Sequence, residues 1–183
     1  AAGAKVCTLL EGENIPYTSF IFRDKALEPD EKAVGSLMLH YDHSCDLVIG
    51  VGSGVINDTG KILANLTEKP YFIAGTAPSM DGYASNSSSM LVDGVKSTLY
   101  NKCPVAVIAD IDIMKDAPMD MIRAGYGDII GKYSALNDWK LSRLINNEYF
   151  CQEIYDLAMD VTNNIRDMVA DIVARGEAAI EYL

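Results

Sequence analysis

The sequence predicts an α/β fold built on a parallel sheet, followed by the beginning of an all-helical domain. Three observations carry this. Leu47, Val48 and Ile49 form a short apolar run of the kind buried on both faces in a parallel sheet. Gly50, Gly52 and Gly54 follow at alternate positions and lead into an amphipathic stretch, which reads as strand, tight turn and helix start. After Pro118 the β-type runs stop and helical periodicity continues to Leu183. The expected division is an α/β domain over residues 1–116 and a helical part over residues 117–183.

Taken in order, Ala4 to Leu10 has helical spacing. Tyr17 to Phe22, after Pro16, is aromatic and β-branched and predicts a strand. Pro29-Asp-Glu-Lys opens a second helix with acidic residues in its first turn, ending near His40. Next come the strand at Leu47, the glycine turn, a helix through Ile56, Ile62, Leu63 and Leu66, and a strand at Pro70 to Ala74. This alternation favours a Rossmann-like parallel sheet covered by helices. Thr76 to Ser89 is long, polar and rich in small residues, and follows the C-terminal end of a strand, where open α/β sheets bind ligands. Asp93-Gly94 joins two short β-like runs as a hairpin. Pro104 to Ala109 reads as a buried strand closed by Asp110 and Asp112. Beyond Pro118 a helix is expected to break at Gly125-Tyr126-Gly127 and resume from Asp128 to Leu144, and Glu148 to Leu183 shows long helical periodicity. Ala1 and Leu183 both fall inside helical patterns, so both ends are expected to be cuts in a longer polypeptide.

Composition narrows the function classes. Of 183 residues, 49% are hydrophobic, enough for a core, and the net charge is -11. That balance argues against nucleic acid and anionic membrane as partners, since binding a phosphate backbone needs clustered Lys and Arg. A small anionic ligand held by a few local donors is compatible with it. Cys7, Cys45, Cys103 and Cys151 are scattered without a C-x-x-C pair, which suggests reduced thiols in a cytoplasm. No signal peptide or membrane-length apolar run is present in the sequence.

Glycines admit close approach of backbone to a ligand, and free N–H groups at a helix N-terminus favour phosphate. The spacing departs from G-x-G-x-x-G because Val55 stands where the third glycine belongs. A sharp turn with no ligand is the competing reading. Lys61, three residues after Asp58, could steady an anion, although a solvated surface ion pair accounts for the spacing better. Thr76, Ser79, Ser85 and Ser87 offer donors suited to a diphosphate or an amide, or are simply loop residues. Asp81 could accept hydrogen bonds from a polyol or form an Asx turn. Asp128 could cap a helix or ligate a divalent metal. His40 and His43, with Cys45 nearby, make a weak metal pair, and Tyr83, Tyr126, Tyr133 and Trp139 are expected to pack or line a cleft. The Met/Ile/Leu stripe after Glu148 reads as core or interface.

Four segments together resemble the sn-glycerol-1-phosphate dehydrogenases of the AraM type, within the superfamily of iron-containing alcohol dehydrogenases and dehydroquinate synthase. They are GVGSGVINDTGK from Gly50, TAPSMDGYAS from Thr76, CPVAVIADIDI from Cys103 and GYGDIIGKYSALNDWKLS from Gly125. The resemblance implies a nucleotide-binding domain followed by a helical metal and substrate domain. It also implies NAD(P)-dependent, metal-dependent reduction of dihydroxyacetone phosphate to sn-glycerol 1-phosphate, in the cytoplasm and in phospholipid metabolism. Carried over, Gly50, Val51, Gly52, Ser53, Gly54, Thr76, Ser79 and Ser85 would bind NAD(P), and Asp81 and Asp128 the small phosphorylated substrate. Asp128 would also be the catalytic metal ligand, with zinc favoured and nickel or iron able to use similar ligands. The family's other two metal ligands are downstream histidines, whereas this chain has none after His43, and the opening strand of the nucleotide domain is also missing. The chain as it stands is therefore expected to be inactive. A homo-oligomer is a further expectation. The alternatives are a glycerol or polyol dehydrogenase, a dehydroquinate-synthase-like relative, or a noncatalytic nucleotide- or sugar-phosphate-binding module.

Overall fold

A computed structural model describes residues 2–24 and 26–183 of the chain. The chain forms two compact units: one runs up to Thr76 and resumes over Gly82–Ile113, and the other comprises Ala77–Asp81 and Met114–Leu183.

In the first unit, α1 (Ala2–Gly12) buries no residue. The strand-like run after it joins no sheet among the described residues: residues 17–22 carry no strand and Ile21 is 78% exposed. The expected strand fails because β-propensity measures fit to a pleated, half-buried surface, and among the described residues no ladder partner pairs with this run. At α2 (Glu31–Leu39), the Asp30 carboxylate caps the helix by accepting the Ala33 N–H at 2.7 Å. β1 (Val48–Gly52), α3 (Gly54–Leu66) and β2 (Tyr71–Gly75) make a βαβ unit, with Gly50 opposite Ile73 in a parallel register. β2 is the central strand and the most buried, Ile73 being fully enclosed.

The hairpin forms as expected from β3 (Ser87–Val92) and β4 (Val95–Tyr100). Asp93 and Gly94 both take positive φ, 51° and 75°, as a turn whose twist matches the strands requires. β5 (Ala106–Ala109) pairs parallel with β2 and completes the order β1-β2-β5. It is not the buried strand that its composition suggests, because Val107 and Ile108 lie on the sheet edge at 44% and 50% exposure. α4 (Ile111–Lys115) follows it.

The second unit is helical: α5 (Met119–Ile130), α6 (Lys132–Asn146), α7 (Gln152–Asp167), α8 (Val169–Val173) and α9 (Glu177–Tyr182). Ile122, Ile129, Ile165, Ile172 and Ile180 meet in its core, with Ala77 and Met114 among them. Two expectations are corrected here. The helix runs straight through Gly125-Tyr126-Gly127 and breaks at Gly131 instead. Gly125 serves packing, since a Cβ there would lie 1.9 Å from the Pro78 carbonyl oxygen. The long C-terminal periodicity is likewise divided, by Met168 and by Arg175 at φ 59°, into three helices that fold back on one core. No helix among the described residues is long and apolar enough to cross a membrane.

Candidate functional site

In the first unit the glycine turn sits at the C-terminal edge of the sheet. Gly52 ends β1, Ser53 is extended (φ −108°, ψ −154°), and α3 starts at Gly54. The Ser53 side chain makes no capping hydrogen bond, and the first turn of α3 holds no acidic residue. The leading N–H groups of a helix lack intrahelical partners and carry its positive dipole end, so this terminus is open to an anion. Thr76, just past β2, donates its N–H to the Gly52 carbonyl at 3.0 Å and so stands beside the turn. Val51 lies between the two glycines in β1.

The glycines have a second reason for being there. A Cβ on Gly50 would meet the Tyr71 hydroxyl at 2.2 Å, and one on Gly52 would meet Ile56 at 2.4 Å. Their bare faces are filled from inside by the protein's own side chains. None of the glycines of this turn has positive φ.

Lys61 departs most from its sequence reading. Its side chain has no solvent exposure, so the surface ion pair is excluded. Nζ lies 3.3 Å from the Asp58 carboxylate and donates to the Ser85 hydroxyl at 3.2 Å, the Ser85 carbonyl at 3.5 Å and the Ser87 carbonyl. Burial pushes the Asp58 carboxyl up, against the opposing pull of Lys61. Asn57 on the same helix is fully buried and donates to the Tyr83 and Gly82 carbonyls at 3.2 and 3.5 Å, while its Oδ1 has no hydrogen-bond partner. Ser85 donates its N–H to the Gly82 carbonyl, and its hydroxyl reaches Gly82 and Ser87 carbonyls. The sequence signal for this network was the helical i, i+4 spacing of Asn57 and Lys61, which puts both on one face.

In the second unit, the Asp81 N–H donates to Asp128 Oδ2 at 3.0 Å and the Asp81 carboxylate pairs with Lys132. The backbone N–H of Asp81 is the main influence holding the Asp128 carboxyl below the usual carboxylate range. Asp128 lies in the last turn of α5 rather than at a helix start, so the capping reading is wrong. Two carboxylates and an ammonium thus gather where the 77–81 segment, which contains Ser79, lies against α5. Lys132 was missed in the sequence, although it stands four residues after Asp128. The cluster can accept hydrogen bonds from hydroxyl groups and present one cation to an anion.

His40 and His43 are occupied by packing: the His40 ring is 4.5 Å from Phe20 with Nδ1 at 2.8 Å from the Ser36 carbonyl, and His43 stacks edge-on against Tyr41. No group of three His, Cys, Asp or Glu side chains able to hold a metal occurs among the described residues. An open groove of about 830 Å³ beside α2 is lined by Phe20, Arg23, Lys32 and His40 among others, and by none of the glycine-turn residues.

Compared with known proteins, residues 1–118 match a family model described as iron-containing alcohol dehydrogenase. The chain is 34% identical, over its whole length, to a protein of Geobacillus thermodenitrificans named as an NAD(P)+ glycerol-1-phosphate dehydrogenase, of which it covers 46%. A Methanosarcina barkeri protein of the same name is 36% identical over 81% of the chain, which covers 41% of it. Among solved structures, glycerol dehydrogenase from Schizosaccharomyces pombe superposes on 98% of the chain with a TM-score of 0.79 at 18% identity, and 48% of that protein is covered. The chain spans less than half the length of the curated relatives it matches.

Proposed function

Because this chain belongs to the iron-containing alcohol dehydrogenase family, we propose that the whole protein catalyses NAD(P)-dependent reduction of dihydroxyacetone phosphate to sn-glycerol 1-phosphate. The observation that carries this reading is the open, acid-free N-terminus of α3 directly after the glycine turn, with Thr76 hydrogen-bonded beside it. It is supported by the names of the relatives at 34% and 36% identity.

In this reading residues 1–116 are a nucleotide-binding domain and 117–183 the opening part of a metal and substrate domain. Gly50 to Gly54 hold the dinucleotide's diphosphate on the backbone N–H groups of the helix terminus, with Thr76, Ser79 and Ser85 as further contacts. Bound NAD(P)H supplies hydride to the substrate carbonyl. Asp81 and Asp128 accept hydrogen bonds from substrate hydroxyl groups, and Lys132 offsets the negative charge of the pair. Asp128 is also assigned as one ligand of a divalent metal: zinc, nickel or iron. The described residues around it do not by themselves make up a metal site, which usually needs three protein donors. The reading extends to a cytoplasmic homo-oligomer in phospholipid metabolism.

The test is nicotinamide absorbance during turnover by the full-length polypeptide, metal-reconstituted, with dihydroxyacetone phosphate set against dihydroxyacetone in the presence of NADH or NADPH, and glycerol offered separately with NAD+ or NADP+. Oxidation of NADH or NADPH only with the phosphate is expected. Equal rates on the unphosphorylated substrates would point to a polyol dehydrogenase, and binding without turnover to a noncatalytic module.

A further inference from the structure

Every acceptor that Lys61 reaches outside its own helix belongs to one three-residue segment, Ser85 to Ser87, which leads from the loop after β2 into β3. Two neighbours on α3 hold the same stretch. Asn57 donates to the Gly82 and Tyr83 carbonyls, and the Asp58 carbonyl accepts the Ser88 hydroxyl at 3.1 Å. The helix whose N-terminus follows the glycine turn is therefore tied through its buried face to the far end of the polar loop. An apolar residue at position 61 could fill the same space, but it could not fix register. An ammonium with three hydrogens shared among directional acceptors does so.

The network also settles what Ser85 can offer. Its N–H is committed to the Gly82 carbonyl, its hydroxyl hydrogen is taken by the Gly82 or Ser87 carbonyl at 2.9 or 3.0 Å, and one lone pair faces Lys61. One lone pair of the hydroxyl remains. A diphosphate, which carries acceptors only, cannot use it; a ribose hydroxyl or carboxamide N–H can.

We propose that Lys61 is a positioning residue that locks residues 85–87 to α3 and presents Ser85 as an acceptor to a donor group of the dinucleotide. This rests on the functional reading above. In the full-length polypeptide, Lys61→Met is made together with Asp58→Asn, so that no unpaired charge is buried. A rise of about tenfold in KM for NADH or NADPH is expected, with kcat and the KM for dihydroxyacetone phosphate within about twofold of the parent. Hydrogen exchange should quicken at the amides of residues 85–88 and not across α3. Ser85→Ala, which keeps the buried ion pair, guards against misfolding of the double variant: KM for the nucleotide should rise about fivefold, and adding the double change should worsen it less than twofold. A folded double variant with unchanged nucleotide KM, or a Ser85→Ala protein with unchanged nucleotide KM, overturns the inference; the second result also removes Ser85 from the proposed dinucleotide contacts, and under either the proposed reduction still stands. A parent that neither binds nor oxidises NADH or NADPH overturns both.

Discussion

Gly125→Ala is expected to destabilise the helical unit, while Gly127→Ala two residues later stabilises it. The added Cβ at 125 would lie 1.9 Å from the Pro78 carbonyl oxygen and 2.9 Å from its carbon. A relaxed contact needs roughly 3.4 Å, so the two backbones must part by about 1.5 Å. Both obstacles are main-chain atoms of the buried Pro78, next to the core residue Ala77, so the cost falls near the upper end of the about 1–3 kcal/mol typical of overpacking. Helix propensity returns about 1 kcal/mol, leaving a net loss of about 2 kcal/mol. At Gly127 nothing lies within 4 Å of the place a Cβ would take, so only the propensity gain of about 1 kcal/mol remains. Trp139 in α6 is the only tryptophan and lies in this unit, so its fluorescence in a urea titration reads the unit directly. With a slope near 1 kcal/mol per molar urea, the two midpoints should differ by about 3 M. The same separation of backbones would pull the Asp81 N–H away from Asp128. A Gly125→Ala midpoint at or above that of the parent would refute the reasoning.

Gly50→Ala should destabilise the sheet unit because its Cβ would strike the Tyr71 hydroxyl; Tyr71→Phe in the same chain should recover a large part of the loss, measured as a double-mutant cycle in thermal unfolding. A Gly50→Ala protein of parental stability would instead leave ligand approach as the reason for the glycine. Asp30→Ala removes the cap on Ala33 and should cost about 1 kcal/mol by urea denaturation. For Asp128, the folded carboxyl titrates below the 3.8 reference value, so its contribution is complete above that pH and lost as pH falls through the lower folded value. The stability gap between parent and Asp128→Asn should therefore close on acidification below about pH 4, read by Trp139 fluorescence. A gap that widens there contradicts the assignment.

Local chemistry made the hairpin and the βαβ unit legible. Asp93-Gly94 tolerates the positive φ that the turn demands, and the run 47–49 followed by alternating glycines allows little besides strand, turn and helix. The open N-terminus of α3 was legible for the same reason, since its anion affinity comes from backbone groups that any sequence of this pattern exposes. The strand expected at residues 17–22 shows the limit. Its residues favour extended backbone, but a strand exists only where another lies beside it. Lys132 belongs to the candidate site only because the 77–81 segment brings Asp81 within its reach.

Sequence by itself determined the βαβ unit from Val48 to Gly75, the glycine turn and the loop that follows β2, because each rests on short-range pattern and backbone chemistry; the family was legible from the resemblance of four segments. Tertiary structure decided the rest. It placed the helix break at Gly131 rather than Gly125, put Lys61 in the interior rather than in water, and brought Asp81 and Lys132 together with Asp128. A letter records a side chain's charge and size, whereas burial and partnership depend on which distant segment packs against it. For Lys61 that segment lies more than twenty residues away, and it converts an apparent surface cation into the buried anchor of the loop.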